Sequence, residues 1–341
     1  MLRLISKTTI TSKKTGKEYY FYFCEGIEIN TSFENLTDTA SIRFPRKLTD
    51  DGKNIFVGES ALFRRGDKVK IELGYDPKLR TVFNGYITEI GSNIPIELKC
   101  EDEMFVLKNT NIKTYAKNTV SLNTLLTDIL PSTVKFECLD VNLGSFRITN
   151  SSVSKILDEL KKDYGFYSYF RSKDTVTGHG LDAVTTTTQI LHVGLPSDAS
   201  VTNTENFAFE ENIINQDDLK FQQADDLILK VVAISMQSDN SKKQVEVGDA
   251  DGSQRTYHTY NATDADLKKF AQLKLDAVKY TGYVGNIRTF GEPYMRHGDI
   301  AKITSTKLPE RDGSYEVTSV KRIFSVSEGY KQELELGIKV A

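Results

Sequence analysis

The clearest pattern in the chain is an alternation of charged and aliphatic side chains within residues 61–90. Lys68-Val69-Lys70-Ile71-Glu72-Leu73 puts Val69, Ile71 and Leu73 on one face of a half-buried strand and leaves the lysines and glutamate wet. Gly66-Asp67 supplies the turn before that strand, and Gly74, Asp76 and Pro77 end it. Val82-Phe83-Asn84-Gly85-Tyr86-Ile87-Thr88-Glu89-Ile90 resumes an extended pattern, which predicts an antiparallel partner. A second passage echoes the first. Arg296-His297-Gly298-Asp299-Ile300-Ala301-Lys302-Ile303 repeats the order of Arg64-Arg65-Gly66-Asp67-Lys68-Val69-Lys70-Ile71. Each copy precedes a strand carrying Gly and Tyr, Gly85-Tyr86-Ile87 in one and Gly313-Ser314-Tyr315-Glu316-Val317 in the other, so the pattern predicts a duplicated turn-and-strand unit.

The rest of residues 1–110 reads as β. Residues 19–23 form an aromatic run, Gly26-Ile27-Glu28-Ile29-Asn30-Thr31 and Thr39-Ala40-Ser41-Ile42-Arg43-Phe44 alternate, and Ile96, Leu98 and Cys100 share a further strand face. Six or more short strands with no convincing helix predict a barrel or sandwich. The period changes after Asn109. Leu122, Leu125, Leu126, Ile129 and Leu130 mark an amphipathic helix stopped by Pro131. Val153, Ile156, Leu157, Leu160 and Tyr164 mark a second, which Ser151 or Ser152 can cap and Gly165 can end. Strand-like runs at 166–170 and 188–193 complete a small α+β domain over 110–205. Residues 207–210, 213–214 and 227–236 return to β character. Thr263-Asp264-Ala265-Asp266 opens a third helix as a near capping box, with Leu267, Phe270, Ala271, Ala277 and Val278 as its apolar side. From Gly285 the pattern is β again, giving a mainly β chain with an α+β insertion.

Length and charge narrow the class. The chain has 341 residues, 39% of them hydrophobic, enough for two or three domains with real cores. With 44 basic and 47 acidic residues and no local basic patch, nothing attracts nucleic acid or an anionic membrane specifically. Cys24, Cys100 and Cys138 are odd in number and lack a CxxC spacing, which argues for free thiols in a reducing compartment. No run approaches a membrane span and the N-terminal segment lacks a signal-peptide core, so folding in the cytoplasm without membrane insertion is expected.

Each enzyme motif fails on spacing or context. Thr15-Gly16-Lys17-Glu18 lacks the upstream Gly of a phosphate loop, holds Glu where magnesium needs Ser or Thr, and precedes a strand. His179, His192, His258 and His297 share no metal-ligand spacing and read as exposed or loop histidines. Asp249 and Asp251 lack the terminal Glu of a calcium loop. Glu101-Asp102-Glu103 diverge at a strand end and read as a polar junction, and the Arg65-Gly66-Asp67 tripeptide reads as a turn. The aromatic run at 19–23 has no basic neighbours for base stacking and reads as core packing. No catalytic, cofactor or metal residue is expected, which leaves an assembly protein by elimination.

The segments 63–76, 83–87 and 95–104, in that order and spacing, resemble the N-terminal part of the phage tail baseplate hub family of the late-control-D type. Further resemblance lies at 38–45, 153–165, 263–278, and in Phe290-Gly291-Glu292-Pro293 followed by His297-Gly298-Asp299. The resemblance implies two tail-tube-like β-barrels per chain, at 1–109 and at 206–245 with 285–341, around a middle α+β domain at 110–205 joined by 246–284. It implies a homotrimer whose six barrels form a pseudo-hexameric ring, adapting a sixfold tail tube to a threefold spike. The implied partners are the tail tube protein, a separate central spike protein and other baseplate proteins, in a virion tail assembled in the bacterial cytoplasm. The equivalent hub of a contractile injection system is the alternative, and a tail-associated cell-wall hydrolase is an alternative of another class. Phe44, Arg46, Arg64, Arg65, Arg296 and His297 are the expected interface residues.

Overall fold

The computed structural model describes residues 3–50, 53–56, 63–76, 78–177, 184–195, 203–215, 218–239 and 241–340. The alternation at 68–73 folds as read: Lys68–Tyr75 is a strand with Val69, Ile71 and Leu73 buried. It lies between Leu4–Thr11 and Lys78–Ile90, antiparallel to both. With Glu18–Phe21, Gly26–Ser32, Thr39–Phe44 and Ile96–Glu101 these strands curl around one core that includes Ile10, Ile27, Ile42, Ile71, Ile87 and Leu98. A short helix missing from the sequence reading, α1 (Met104–Lys108), follows the last strand. Its first turn is held by Asp102, whose Oδ1 accepts the Met104 N–H at 3.1 Å.

The middle of the chain is helical where the 3.6-residue period appears. Ser121 caps α2 (Leu122–Ile129) through the Thr124 N–H, and Ser152 caps α3 (Val153–Tyr164) through the Lys155 N–H. Gly165 ends α3 in the left-handed conformation with φ 72°. The apolar stripes of α2 and α3 are buried together with Leu191 and Val193 of a three-stranded sheet, ordered Lys135–Cys138, Val184–Gly194, Tyr167–Thr177. A second β unit packs around Phe207, Ile287, Ala301, Ile303, Tyr315, Val317 and Leu334. Its strands are Thr204–Ala208, Gly282–Phe290, Ile300–Thr304, Gly313–Ser325 and Gly329–Lys339.

The excursion from the second unit starts earlier than the expected break between 245 and 246, which falls inside strand Lys242–Gly248. Leu229–Met236 pairs with Lys242–Gly248 and Ser253–Tyr260, and among the described residues with no strand of the second unit. The reason is the apolar face read at 227–236: Val231 and Ala233 share a core with Leu267, Ala271 and Leu275 of α4 (Asp264–Val278). Half of the near capping box forms: Thr263 Oγ1 accepts the Asp266 N–H at 3.2 Å, while the Asp266 carboxylate takes the Thr263 hydroxyl at 2.7 Å in place of its backbone N–H. This layer leans on the middle unit, because Met236 belongs to that core and a Cβ on Gly165 would fall 2.2 Å from the Cβ of His258.

Leu157 is fully buried in α3, so Leu157→Ala is expected to cost about 2–5 kcal/mol in denaturant unfolding of the full chain. Lys155→Ala on the outer face should stay within about 0.5 kcal/mol.

Candidate assembly interface

One sheet runs through both β units. Fourteen strands are hydrogen-bonded in a single network, and the two halves meet where residues 319–325 pair antiparallel with Gly26–Ser32. The register holds over seven positions, from Ser319 opposite Ser32 to Ser325 opposite Gly26. Side chains reinforce it: Thr31 Oγ1 donates to the Val320 carbonyl at 3.3 Å, Ser32 Oγ to the Thr318 carbonyl at 3.1 Å, and Lys321 pairs with Glu28 at 3.0 Å. Phe324 within the joint and Tyr330 just beyond it, on the C-terminal hairpin, enter the core of the first unit.

The duplication read from the turn extends to atoms. In the first copy the Gly66 N–H donates to Ile87 O at 2.8 Å and the Ile87 N–H to Asp67 O at 2.9 Å. In the second, the Gly298 N–H donates to Val317 O at 2.7 Å and the Val317 N–H to Asp299 O at 2.8 Å. Asp67 Oδ2 accepts the Arg64 N–H and Asp299 Oδ2 the Arg296 N–H, both at 2.8 Å. Gly66 and Gly298 carry φ of 89° and 82°, which a side chain would strain. The following hairpins share a bulge: the register slips between Ile87 and Glu89 against Cys100 and Lys99, and between Val317 and Ser319 against Leu336 and Glu335. The copies differ at the neighbouring strand, which is antiparallel in the first (Leu4–Thr11) and parallel in the second (Thr204–Ala208). Asp67 is 1% exposed with both carboxylate oxygens occupied, Oδ1 by the Lys13 N–H, so the Arg-Gly-Asp tripeptide offers no carboxylate to a ligand.

The six expected interface residues divide by environment. Arg46, Arg64 and Arg65 are exposed, Arg65 lying over the Phe105 ring at 5.7 Å. Phe44 is fully buried against Phe21 and Phe63, because the alternation of Thr39–Phe44 turns it inward with Ala40 and Ile42; its side chain has no surface for a partner. His297 is 5% exposed beneath Tyr169 and Phe33, and the half-buried Arg296 donates Nη1 to the Ser172 carbonyl at 3.1 Å. These two side chains of the second turn face the middle unit. The histidines as a group are less exposed than read: His192 is buried as well, and His179 lies outside the described residues. Among the described residues no three His, Cys, Asp or Glu side chains could hold a metal ion, and no helix is long and apolar enough to cross a membrane.

A polar cluster with no motif in the sequence sits beside the joint. Asp38 Oδ1 accepts the Ser32 N–H at 3.0 Å, and the Asp38 carbonyl accepts the Asp102 N–H at 3.1 Å. Burial raises the Asp38 carboxyl to about 7, against the pull of the Ser32 N–H and of Arg322. Burial, then the neighbouring Asp38, holds Asp102 well above the usual carboxylate range. Arg322 is 1% exposed and donates Nη2 to the Met295 carbonyl. Burial, then Arg171, Arg322 and Arg296, push the His297 imidazole down to about 3, so it is neutral. The signal for this cluster was faint, since Asp38 and Arg322 are 284 positions apart in sequence and meet only through the joint.

No protein-family profile and no curated protein matches this chain. Solved structures do. A tail protein from Neisseria meningitidis superposes with a TM-score of 0.59 at 14% identity, covering 98% of this chain and 96% of its own. The 43 kDa tail protein of prophage MuSo2 from Shewanella oneidensis gives 0.58 at 14% identity over 97% of both chains. The E. coli c3393 protein, a component of the type VI secretion system similar in structure to T4 bacteriophage tail proteins gp27 and gp5, gives 0.53 at 10% identity, over 97% of this chain and 75% of its own. The fold is therefore the mainly β fold of phage tail proteins and of their injection-system counterparts, as the resemblance in sequence implied.

Two outcomes test this geometry. Asp67→Ala and Asp299→Ala each strip two backbone N–H groups of their acceptor, and each is expected to cost about 2–3 kcal/mol in thermal or denaturant unfolding. The Asp38 carboxyl binds more protons folded than unfolded between its ordinary 3.8 and about 7. Its contribution to stability therefore falls as pH rises through that window and is lowest above it. Asp38→Asn keeps an oxygen for Ser32, so the variant should gain on the order of 1–3 kcal/mol over the parent at pH 7, a gain that fades toward pH 4 in melting curves.

Proposed function

We propose that this chain is a non-enzymatic structural hub of a phage or prophage tail baseplate, three copies of which close a ring of six barrel-like units. The observation that carries the reading is the edge-to-edge joint between two units built on one register pattern. A chain holding two like units side by side needs only the same sideways step, repeated between chains, to close a ring by heterologous contacts. Such a ring offers six similar faces to a tail tube and three identical ones to a spike. Tube, spike and neighbouring baseplate proteins are the partners this reading assigns, and the virion tail is its location. Exposed Arg46, Arg64 and Arg65 are the residues it assigns to contacts with the tube. The hub of a contractile injection system would work the same way, and the likeness to the E. coli secretion component favours keeping it as the second reading.

The register pattern also nominates the edges between chains. The counterpart of residues 319–325 begins at Glu89-Ile90, and the counterpart of Gly26–Ser32 is formed by Ile213–Asn215 and Lys220–Gln222, which pair with Gly282–Phe290 as Gly26–Ser32 pairs with Thr39–Phe44. Among the described residues neither edge has a strand on its outer side. Both carry exposed aliphatic side chains, Ile90 at 37%, Ile94 at 66% and Ile214 at 41%. The interchain joint is the shorter one, because the pairing of the first hairpin ends at Ile90 opposite Leu98, while that of the second continues to Ser325 opposite Gly329.

Sedimentation of the purified chain is expected to show a trimer that dissociates on dilution. Ile90→Asp and Ile214→Asp should each shift it to monomer with a change in melting stability within about 0.5–1 kcal/mol. A chain that stays monomeric up to its solubility limit would overturn the ring, and turnover of peptidoglycan abolished by a single substitution would overturn the non-enzymatic reading.

A further inference from the structure

A small cavity of about 60 Å³ lies where the two β units and the middle unit meet. Its wall takes Thr31 and Asp38 from the first unit, Arg171 and Ser172 from the middle unit, and Arg296, His297 and Arg322 from the second. One water needs roughly 10–15 Å³ of such space, so the cavity can hold a multi-atom ion. Its charge is lopsided. Three arginines line it, and among the described residues no carboxylate lies within ion-pair distance of Arg296 or Arg322; the nearest opposing carboxyls are Asp38, which feels Arg322, and Asp299, which feels Arg296 and Arg171. Arg322 and Arg296 crowd one ring as well, 4.5 and 5.6 Å from the centroid of Tyr294, another wall residue. Two buried nitrogens are left over: Arg322 Nε and His297 Nδ1 have no hydrogen-bond partner, although the residues are only 1% and 5% exposed.

Such an arrangement is costly unless something anionic completes it. Like charges gathered in a low-dielectric pocket repel, and a buried N–H without an acceptor forfeits its hydration. Guanidinium forks match the oxygens of a tetrahedral oxyanion in spacing and in planarity. We propose that this cavity binds one small tetrahedral oxyanion per chain, of the inorganic phosphate or sulfate class, as a bridge among the three units. The anion takes donors from Arg296 and Arg322 and offsets the positive charge that the joint gathers. Asp38 stands at the same wall and opposes the anion, while its own Oδ1 is engaged by the Ser32 N–H. The site is complete within one chain, so its occupancy does not depend on the ring reading and the two can fail separately.

The test is calorimetric titration of the full chain, in a buffer free of oxyanions, with inorganic phosphate, sulfate and chloride at constant ionic strength. Phosphate and sulfate are expected to saturate at one ion per chain, and melting temperature should rise with phosphate concentration. Arg296→Gln should weaken phosphate at least roughly tenfold, the loss expected for one charge-assisted contact. Arg288→Gln, which removes a cation outside the cavity that pairs with Glu333, should leave binding unchanged. Absence of saturable phosphate binding to the parent chain would overturn the site. So would equal responses to phosphate and chloride, or equal weakening by both substitutions, since these mark general screening. The parent titration decides the matter even if Arg296→Gln fails to fold.

Discussion

Everything in this molecule leans on one run of backbone hydrogen bonds, the antiparallel pairing of residues 319–325 with Gly26–Ser32. A strand edge left in water is a template for pairing with any other chain, and a strand edge buried without partners is worse, because each unpaired amide loses its hydration. The pairing removes two edges at once and makes the two β units a single sheet. It also places Phe324 and Tyr330 in a core otherwise built from the first hundred residues. The units are thus alike in plan and unequal in dependence: the first needs the hairpin of the second to fill its interior.

The twin turns show how one backbone design serves two surroundings. In both copies a buried aspartate closes the turn by accepting backbone N–H groups, and a glycine supplies the left-handed residue before it. The two positions preceding that glycine are free to differ, because their side chains take no part in the closure. Arg64 and Arg65 stand in solvent, whereas Arg296 and His297 are pressed against Ser172 and Tyr169 of the middle unit. The middle unit therefore breaks the likeness of the two copies on one side only. An adaptor of the kind proposed, set between sixfold and threefold partners, requires this combination of near-equal units and unequal covering.

Much of this plan was legible in the sequence because it is written in local periods. The alternation at 68–73, the stripe of α3 and the Gly165 stop depend on neighbours within a few positions and formed as read; of the two serines that could cap α3, Ser152 does so, and the stripe of α2 forms up to Ile129, with Leu130 just past the helix. The echo of Gly66-Asp67 at Gly298-Asp299 was visible for the same reason. What was hidden depends on long-range pairing. The run 229–236 has the alternation of a barrel strand, and only its contact with α4 shows that it belongs to the excursion. The inward turn of Phe44 onto Phe21 and Phe63 follows from its alternation with Ala40 and Ile42 and was there to be read, whereas His297 carries no local signal of burial, because it is covered by a unit more than a hundred residues upstream. The cluster of Asp38, Asp102 and Arg322 was invisible for the same reason, its members being assembled by the joint.

The shared core has a consequence for how the chain reaches its folded state during synthesis. As residues 1–110 leave the ribosome, the strand Gly26–Ser32 has one flank without a partner and the core beside it lacks two aromatic rings, and both deficits persist until residues 319–330 emerge. At typical elongation rates of about 5–20 residues per second that interval is on the order of ten seconds to a minute. For that time the nascent first unit is an open edge among identical nascent chains on one message. Glu28, Asn30 and Thr31 put charge and polar groups on that edge, the device by which strand edges disfavour pairing with a wrong copy.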